Sequence, residues 1–178
     1  MWVLARNLPD RYAVLAPRAP YPAEEGGFSW RTIHPGSWGF PQLGELSSAA
    51  ESLLAFVDGW AASAGVPVAE MDLMGFSQGA ALSCVLAYLF PERVRALAVL
   101  SGFVPEGVEA GLRPGALKGK SAFVAHGRQD DMVPVERAHH TVEVLKAAGA
   151  RVTYCESDGG HKVSRECLEG MERFFGST

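Results

Sequence analysis

Cysteine is scarce in this chain: three in 178 residues, Cys84, Cys155 and Cys167. They form no Cys-x-x-Cys pair, and their odd number argues against a disulfide framework. Free, buried thiols in a reducing cytosol are the expectation, which points to a cytoplasmic location. Clustered positive charge is missing too. With 16 Lys+Arg against 20 Asp+Glu and a net charge of −4, no basic patch exists for a nucleic acid or an anionic membrane surface, so neither is an expected partner. Long apolar runs are also absent. The longest nearly apolar stretch, residues 79–90, falls short of the ~20 residues that a membrane-spanning helix needs and reads as a buried core helix. Residues 1–12, MWVLARNLPDRY, hold no apolar h-region, so no signal peptide is expected. No repeat, low-complexity tract or Gly-rich phosphate loop stands out. Arg31 and Arg128 read as lone, solvated charges, which leaves a phosphorylated substrate without an anchor.

What is present fits one domain over residues 1–178 with a sizeable core: 48% hydrophobic and 20% charged residues is a globular balance. Short apolar runs alternate with longer helical stretches, which predicts an α/β protein with a mostly parallel sheet flanked by helices. Strands are expected at Tyr12–Ala16, Met71–Phe76, Ala96–Gly102, Ser121–Gly127 and Val152–Ser157. Helices are expected over Leu43–Gly65, Gln78–Phe90, Val135–Ala148 and Ser164–Phe175, with Gly65 as a stop and Ser164 as an N-cap. Between them runs a long, proline-bearing loop, Pro17–Gln42, carrying Tyr21, Phe28, Trp30, Trp38 and Phe40. Loops of that length are usually functional or disordered, and the aromatics argue against disorder.

The pentapeptide GFSQG, residues 75–79, matches Gly-x-Ser-x-Gly, a pattern that a chain this rich in Gly meets by chance roughly one time in six. Its context adds weight. Ser77 falls between a predicted strand and a predicted helix, as a nucleophile elbow requires. The turn is so tight that side chains at Gly75 and Gly79 are expected to collide with neighbouring backbone. The start of the following helix presents free N–H groups to a developing oxyanion, with the Gln78 N–H as the expected donor.

A serine nucleophile needs a base, and the base an orienting acid. On such a sheet the chain order is Ser, then Asp or Glu, then His. Past Ser121–Gly127 lies RQDD, with Asp130 and Asp131; past the last strand lies DGGH, with His161. Both loops follow strand ends. His34 precedes Ser77, the wrong order. His126 is expected to pack or hydrogen-bond beside the Asp loop, and one of His139 and His140 to be solvated. A metal site from His126, Asp130 and Asp131 lacks any His-x-x-His or Cys pairing to support it, so no metal is expected. Cys84, two turns into the helix after the elbow, reads as a core thiol.

Together LAPRAP, GFSQGAALS, LSGFVP, AHGRQDDMVP and GGHKVS resemble the phospholipase/carboxylesterase branch of the α/β-hydrolases, which includes the acyl-protein thioesterases. The resemblance runs over nearly the whole chain. It implies an α/β-hydrolase fold with Ser77 as nucleophile, His161 as base and Asp130, four residues after His126, as the acid in preference to Asp131. It also implies cofactor-free hydrolysis of a small-molecule acyl ester or thioester of short to medium chain. In the family a strand ending in His-Gly precedes the segment resembling WVLARNLP and carries a second oxyanion N–H. No His-Gly precedes Tyr12, so the chain is expected to be N-terminally incomplete, with a gap in its core. One oxyanion donor is worth about 10²–10³ in rate. A non-catalytic ligand-binding domain or an inactive truncated hydrolase is therefore the alternative. Around Ser77 the expected acyl-lining residues are Phe76, Phe103, Met132 and Trp30. An exposed sheet edge or the unfilled gap offers a route to a homodimer.

Overall fold

The apolar runs after residue 70 become neighbouring strands of one sheet. The computed structural model describes residues 2–23, 26–33 and 39–178. A two-residue ladder pairs β1 (Tyr21–Pro22) with β2 (Phe28–Ser29), antiparallel. Then follow α1 (Leu43–Ala64), β3 (Met71–Phe76), α2 (Gln78–Leu89), β4 (Val94–Leu100), the short α3 (Val108–Gly111), β5 (Ser121–Gly127), α4 (Val135–Ala147), β6 (Arg151–Ser157) and α5 (Arg165–Gly176). The larger sheet has the order β3-β4-β5-β6, with every pairing parallel.

Parallel strands carry helices on both faces, so they read as continuous apolar runs rather than alternating ones. Alternation still decides which layer each side chain joins. Leu97 and Val99 of β4 pack with α1, α2 and α4, while Ala96, Ala98 and Leu100 pack with α5. The helix between α1 and the sheet is apolar all round: Ala80 through Ala87 of α2 are all buried, as expected of a core helix. Helix ends follow local chemistry. Gln42 and Glu45 form a capping box at the start of α1, and Gly65, at φ 66°, closes it in the left-handed region. Ser164 Oγ accepts the Cys167 N–H (3.2 Å) to cap α5.

Three expectations are corrected. Tyr12–Ala16 carries no strand pairing. Residues 13–17 line one side of a cleft of about 550 Å³ that β3 also lines, so the stretch has no ladder to join and stays irregular. Tyr12 instead donates its hydroxyl to Asp72 Oδ2 (2.8 Å), at the start of β3. Cys155 and Cys167 are joined in a disulfide, with Cα atoms 5.6 Å apart, because the fold lays the first turn of α5 against β6. Cys84 alone is a free thiol, and burial pushes its pKa up to about 12. Finally, neither arginine is a lone charge. Arg31 is buried, paired with Glu45 and donating to Gly39 O (2.9 Å). Arg128, though exposed, bridges Glu156 (2.9 Å) and Asp158 (2.6 Å).

Candidate active site

Ser77 occupies the one-residue step between β3 and α2. Its backbone sits at φ 53°, ψ −120°, a conformation that costs a non-glycine residue about 1–3 kcal/mol unless its surroundings enforce it. They do so here through backbone bonds: Ser77 N–H donates to Leu100 O of β4 (2.9 Å), and Ser77 O accepts from Ala80 N–H (3.0 Å) and Ala81 N–H (3.2 Å). The expected role of the flanking glycines holds for one of them. A Cβ on Gly75 would lie 2.3 Å from Gly79 O and 2.4 Å from Ala80 N, whereas a Cβ on Gly79 would meet nothing within 4 Å. The collision expected at Gly79 is absent because that position lines the cleft. A third glycine matters as well: a Cβ on Gly102, past β4, would lie 2.3 Å from Ala80 Cβ.

Loops beyond β5 and β6 bring two more side chains to Ser77. His161 Nε2 stands 3.0 Å from Ser77 Oγ, and His161 Nδ1 stands 2.8 Å from Asp130 Oδ2. An ionised carboxylate only accepts, so Nδ1 carries the proton, and Nε2 is left bare to accept the Ser77 hydroxyl. Asp130 Oδ1 accepts the N–H groups of Met132 (3.0 Å) and Val133 (2.8 Å). Burial pushes the Asp130 carboxyl up, but the Val133 N–H, His161 and the Met132 N–H together outweigh it and hold its pKa below the ordinary value. Asp131 is exposed. His126 is buried beneath this loop and donates from Nε2 to Val133 O (2.8 Å). His139 and His140 are exposed, paired with Glu156 and Glu109.

The cleft beside β3 reaches Ser77. Phe76, Trp30, Phe28 and Gln78 line it, and the Phe76 ring also stands 5.0 Å from the His161 ring. Phe103 and Met132 are not among its lining. Phe103 is core, 3% exposed and edge-to-face with Phe40 at 4.8 Å. Met132 is 65% exposed at the rim of the Asp loop. Trp38 and His34 lie outside the described residues. Two contributors were missed in the sequence. The Gln78 side chain accepts from Trp30 N–H (2.8 Å) and donates to Ser29 Oγ (3.0 Å), tying the aromatic loop to the elbow. Gly127 makes room for the His161 loop: a Cβ there would lie 2.2 Å from Gly159 O and 2.3 Å from Gly160 O. Only the Gly-rich character of both stretches hinted at so close an approach.

Residues 14–178 match the protein-family model described as Phospholipase/Carboxylesterase. A probable carboxylesterase of Oryza sativa subsp. japonica is 33% identical over 168 residues, which cover 90% of this chain and 62% of that protein. A second rice relative, a probable inactive carboxylesterase, is 26% identical over 166 residues, covering 89% of this chain and 67% of that one. The crystal structure of a Bacillus cereus carboxylesterase superposes with a TM-score of 0.84 at 20% identity, covering 98% of this chain and 80% of that one. The fold is thus that of the α/β-hydrolase carboxylesterases. This chain spans about 62% of the length of the first rice protein.

Proposed function

We propose, for a chain that belongs to the phospholipase/carboxylesterase family, that it is a serine hydrolase of small to medium acyl esters or thioesters, acting without a cofactor and as one domain. The observation that carries this reading is the continuous line from Ser77 Oγ through His161 to the buried Asp130 carboxylate, at 3.0 and 2.8 Å. Ser77 Oγ attacks the carbonyl carbon as its proton passes to His161 Nε2. Asp130 steadies the imidazolium, and the Gln78 N–H at the start of α2 donates to the oxyanion. Collapse expels the alcohol or thiol, which takes the proton from Nε2. Water, deprotonated by the same nitrogen, then cleaves the acyl-enzyme and releases the acid. Phe76 and Trp30 line the apolar cleft in which the acyl group lies.

A second reading is a non-catalytic ligand-binding domain or an inactive hydrolase. One relative, called a probable inactive carboxylesterase, is consistent with it. A fluorophosphonate probe with peptide mass mapping separates the two. The hydrolase reading expects stoichiometric labelling of Ser77, lost in His161→Ala, and 4-nitrophenyl butyrate turnover reduced about 10⁴-fold in Asp130→Asn, where the wrong tautomer of His161 is held. Folded protein that takes no label would favour the binding domain.

No helix among the described residues is long and apolar enough to cross a membrane. A cytoplasmic location and self-association through an exposed sheet edge complete the proposal. Light scattering measures the second. Fractionation of cells, with the chain followed by immunoblot, measures the first.

A further inference from the structure

The Cys155–Cys167 disulfide encloses the loop that carries His161. Cys155 lies in β6 and Cys167 in the first turn of α5, 12 residues apart, with His161 midway between them. The two halves of this loop are held differently. The leading half is pinned to the Asp130 loop by backbone bonds, Arg128 N–H to Ser157 O (2.7 Å) and Gln129 N–H to Gly159 O (3.0 Å). It also packs against Gly127. The trailing half runs from His161 through Val163, which packs on the core, into Ser164 and α5. Ser164 accepts the N–H groups of Cys167 (3.2 Å) and Leu168 (2.9 Å). These bonds fix the turn to its own helix and not to the sheet. The covalent tie between that turn and the sheet is the disulfide.

We propose that the Cys155–Cys167 disulfide is a positioning device for His161, and that opening it with a dithiol reductant lowers turnover. The inference rests on the hydrolase reading of Ser77 and His161. The chemistry is thiol–disulfide exchange. A thiolate of the reductant attacks one sulfur, and the other leaves as a cysteine thiolate. The second thiol of the reductant then closes its own disulfide. Two electrons and two protons end on Cys155 and Cys167, and an oxidised dithiol reverses the reaction. Once the bond is open, the trailing half of the loop and the first turn of α5 can drift from β6, and His161 Nε2 drifts from Ser77 Oγ. The disulfide lies in the apolar cluster around α5, whereas Trp30 of the acyl wall packs with the cluster on the other face of the sheet, so the effect falls on kcat rather than KM. Cys84 takes no part, because burial keeps it protonated.

The test uses the whole chain, purified in air and assayed with 4-nitrophenyl butyrate before reduction, after dithiothreitol and after reoxidation. A Ser77→Ala control subtracts the reductant's own reaction with the ester. Thiol counting in denaturant should give one free thiol before reduction and three after. Since a misplacement of about 1 Å costs up to ~10²-fold, reduction should lower kcat and the rate of fluorophosphonate labelling at Ser77 about tenfold. KM should stay within about twofold, and reoxidation should restore the rate. Cys155→Ser/Cys167→Ser should match the reduced rate and ignore dithiothreitol. Three free thiols in the air-purified protein would overturn the proposal. So would equal rates in the oxidised and folded reduced forms, or global loss of circular dichroism on reduction, which would make the bond a staple of stability alone. Oxidised protein that is never labelled would sink the hydrolase reading itself.

Discussion

Gly75 and Gly79 look equivalent in the sequence, yet the chain needs them for different reasons. An alanine at 75 would drive its Cβ into the backbone of Gly79 and Ala80 at 2.3–2.4 Å, and helix backbone does not yield as a side chain would. Gly75→Ala should therefore cost about 3 kcal/mol of stability. Gly79 is the second residue of α2 and faces open space. There alanine gains up to ~1 kcal/mol of helix propensity, so Gly79→Ala should be neutral or stabilising while adding a methyl to the cleft. Urea unfolding of the two variants measures the difference, and equal losses would mean that the elbow is not packed as described. The same strained step holds the Ser77 hydroxyl where His161 can reach it.

At the level of elements, the clasp between β2 and α2 sets the wall of the cleft. Gln78 holds Ser29 and the Trp30 backbone at once, and Ser29 is 3% exposed. Removing one buried partner leaves the other unsatisfied, at about 1 kcal/mol or more. Ser29→Ala should thus raise KM for a 4-nitrophenyl octanoate about fivefold, with a smaller change for the acetate, whose acyl group does not reach the aromatic wall. Equal changes for both esters would place the effect at the elbow instead. Elements governed by local chemistry were legible in the sequence: the run that makes β3, Gly75 of the elbow, the Gly65 stop and the Ser164 cap. Asp130 was separable from Asp131 only through the resemblance, and burial gives the physical reason. What depends on distant segments meeting was not legible. Cys155 finds Cys167 only once α5 lies on β6, Arg31 finds Glu45 only once the aromatic loop folds onto α1, and Tyr12–Ala16 lacks a strand partner that no local pattern reports.

Across the whole molecule, carboxylates tie the outer strand β6 to its surroundings. The Tyr154 hydroxyl, His139 and Arg128 hold the Glu156 pKa down to about 2, from an ordinary value of 4.5, and Asp130 is lowered as well. Groups whose folded pKa is depressed stabilise the protein fully above their unfolded pKa and lose that contribution as pH falls through the folded one. For Glu156 the window runs from about pH 4.5 down to about 2. The urea midpoint should fall through that window, and Glu156→Gln, less stable at pH 7, should fall less steeply. Parallel curves for the two proteins would remove Glu156 from the account.

Among the described residues β3 is paired with β4 and no other strand. Backbone N–H groups along a strand point to its two sides in turn, so half of those in β3 are tied into the sheet and half face the cleft. Amide hydrogen exchange should record this as a parity. Every second amide of Met71–Phe76 should keep its proton nearly as long as the core does, and its neighbours should lose theirs far sooner. In β4, bonded on both sides, the rates should not alternate. A molecule that fills the cleft through apolar contact would leave the alternation standing, whereas a peptide strand seated there would erase it. The exchange pattern of six amides thereby distinguishes a lipid-like occupant from a polypeptide one without either being identified beforehand.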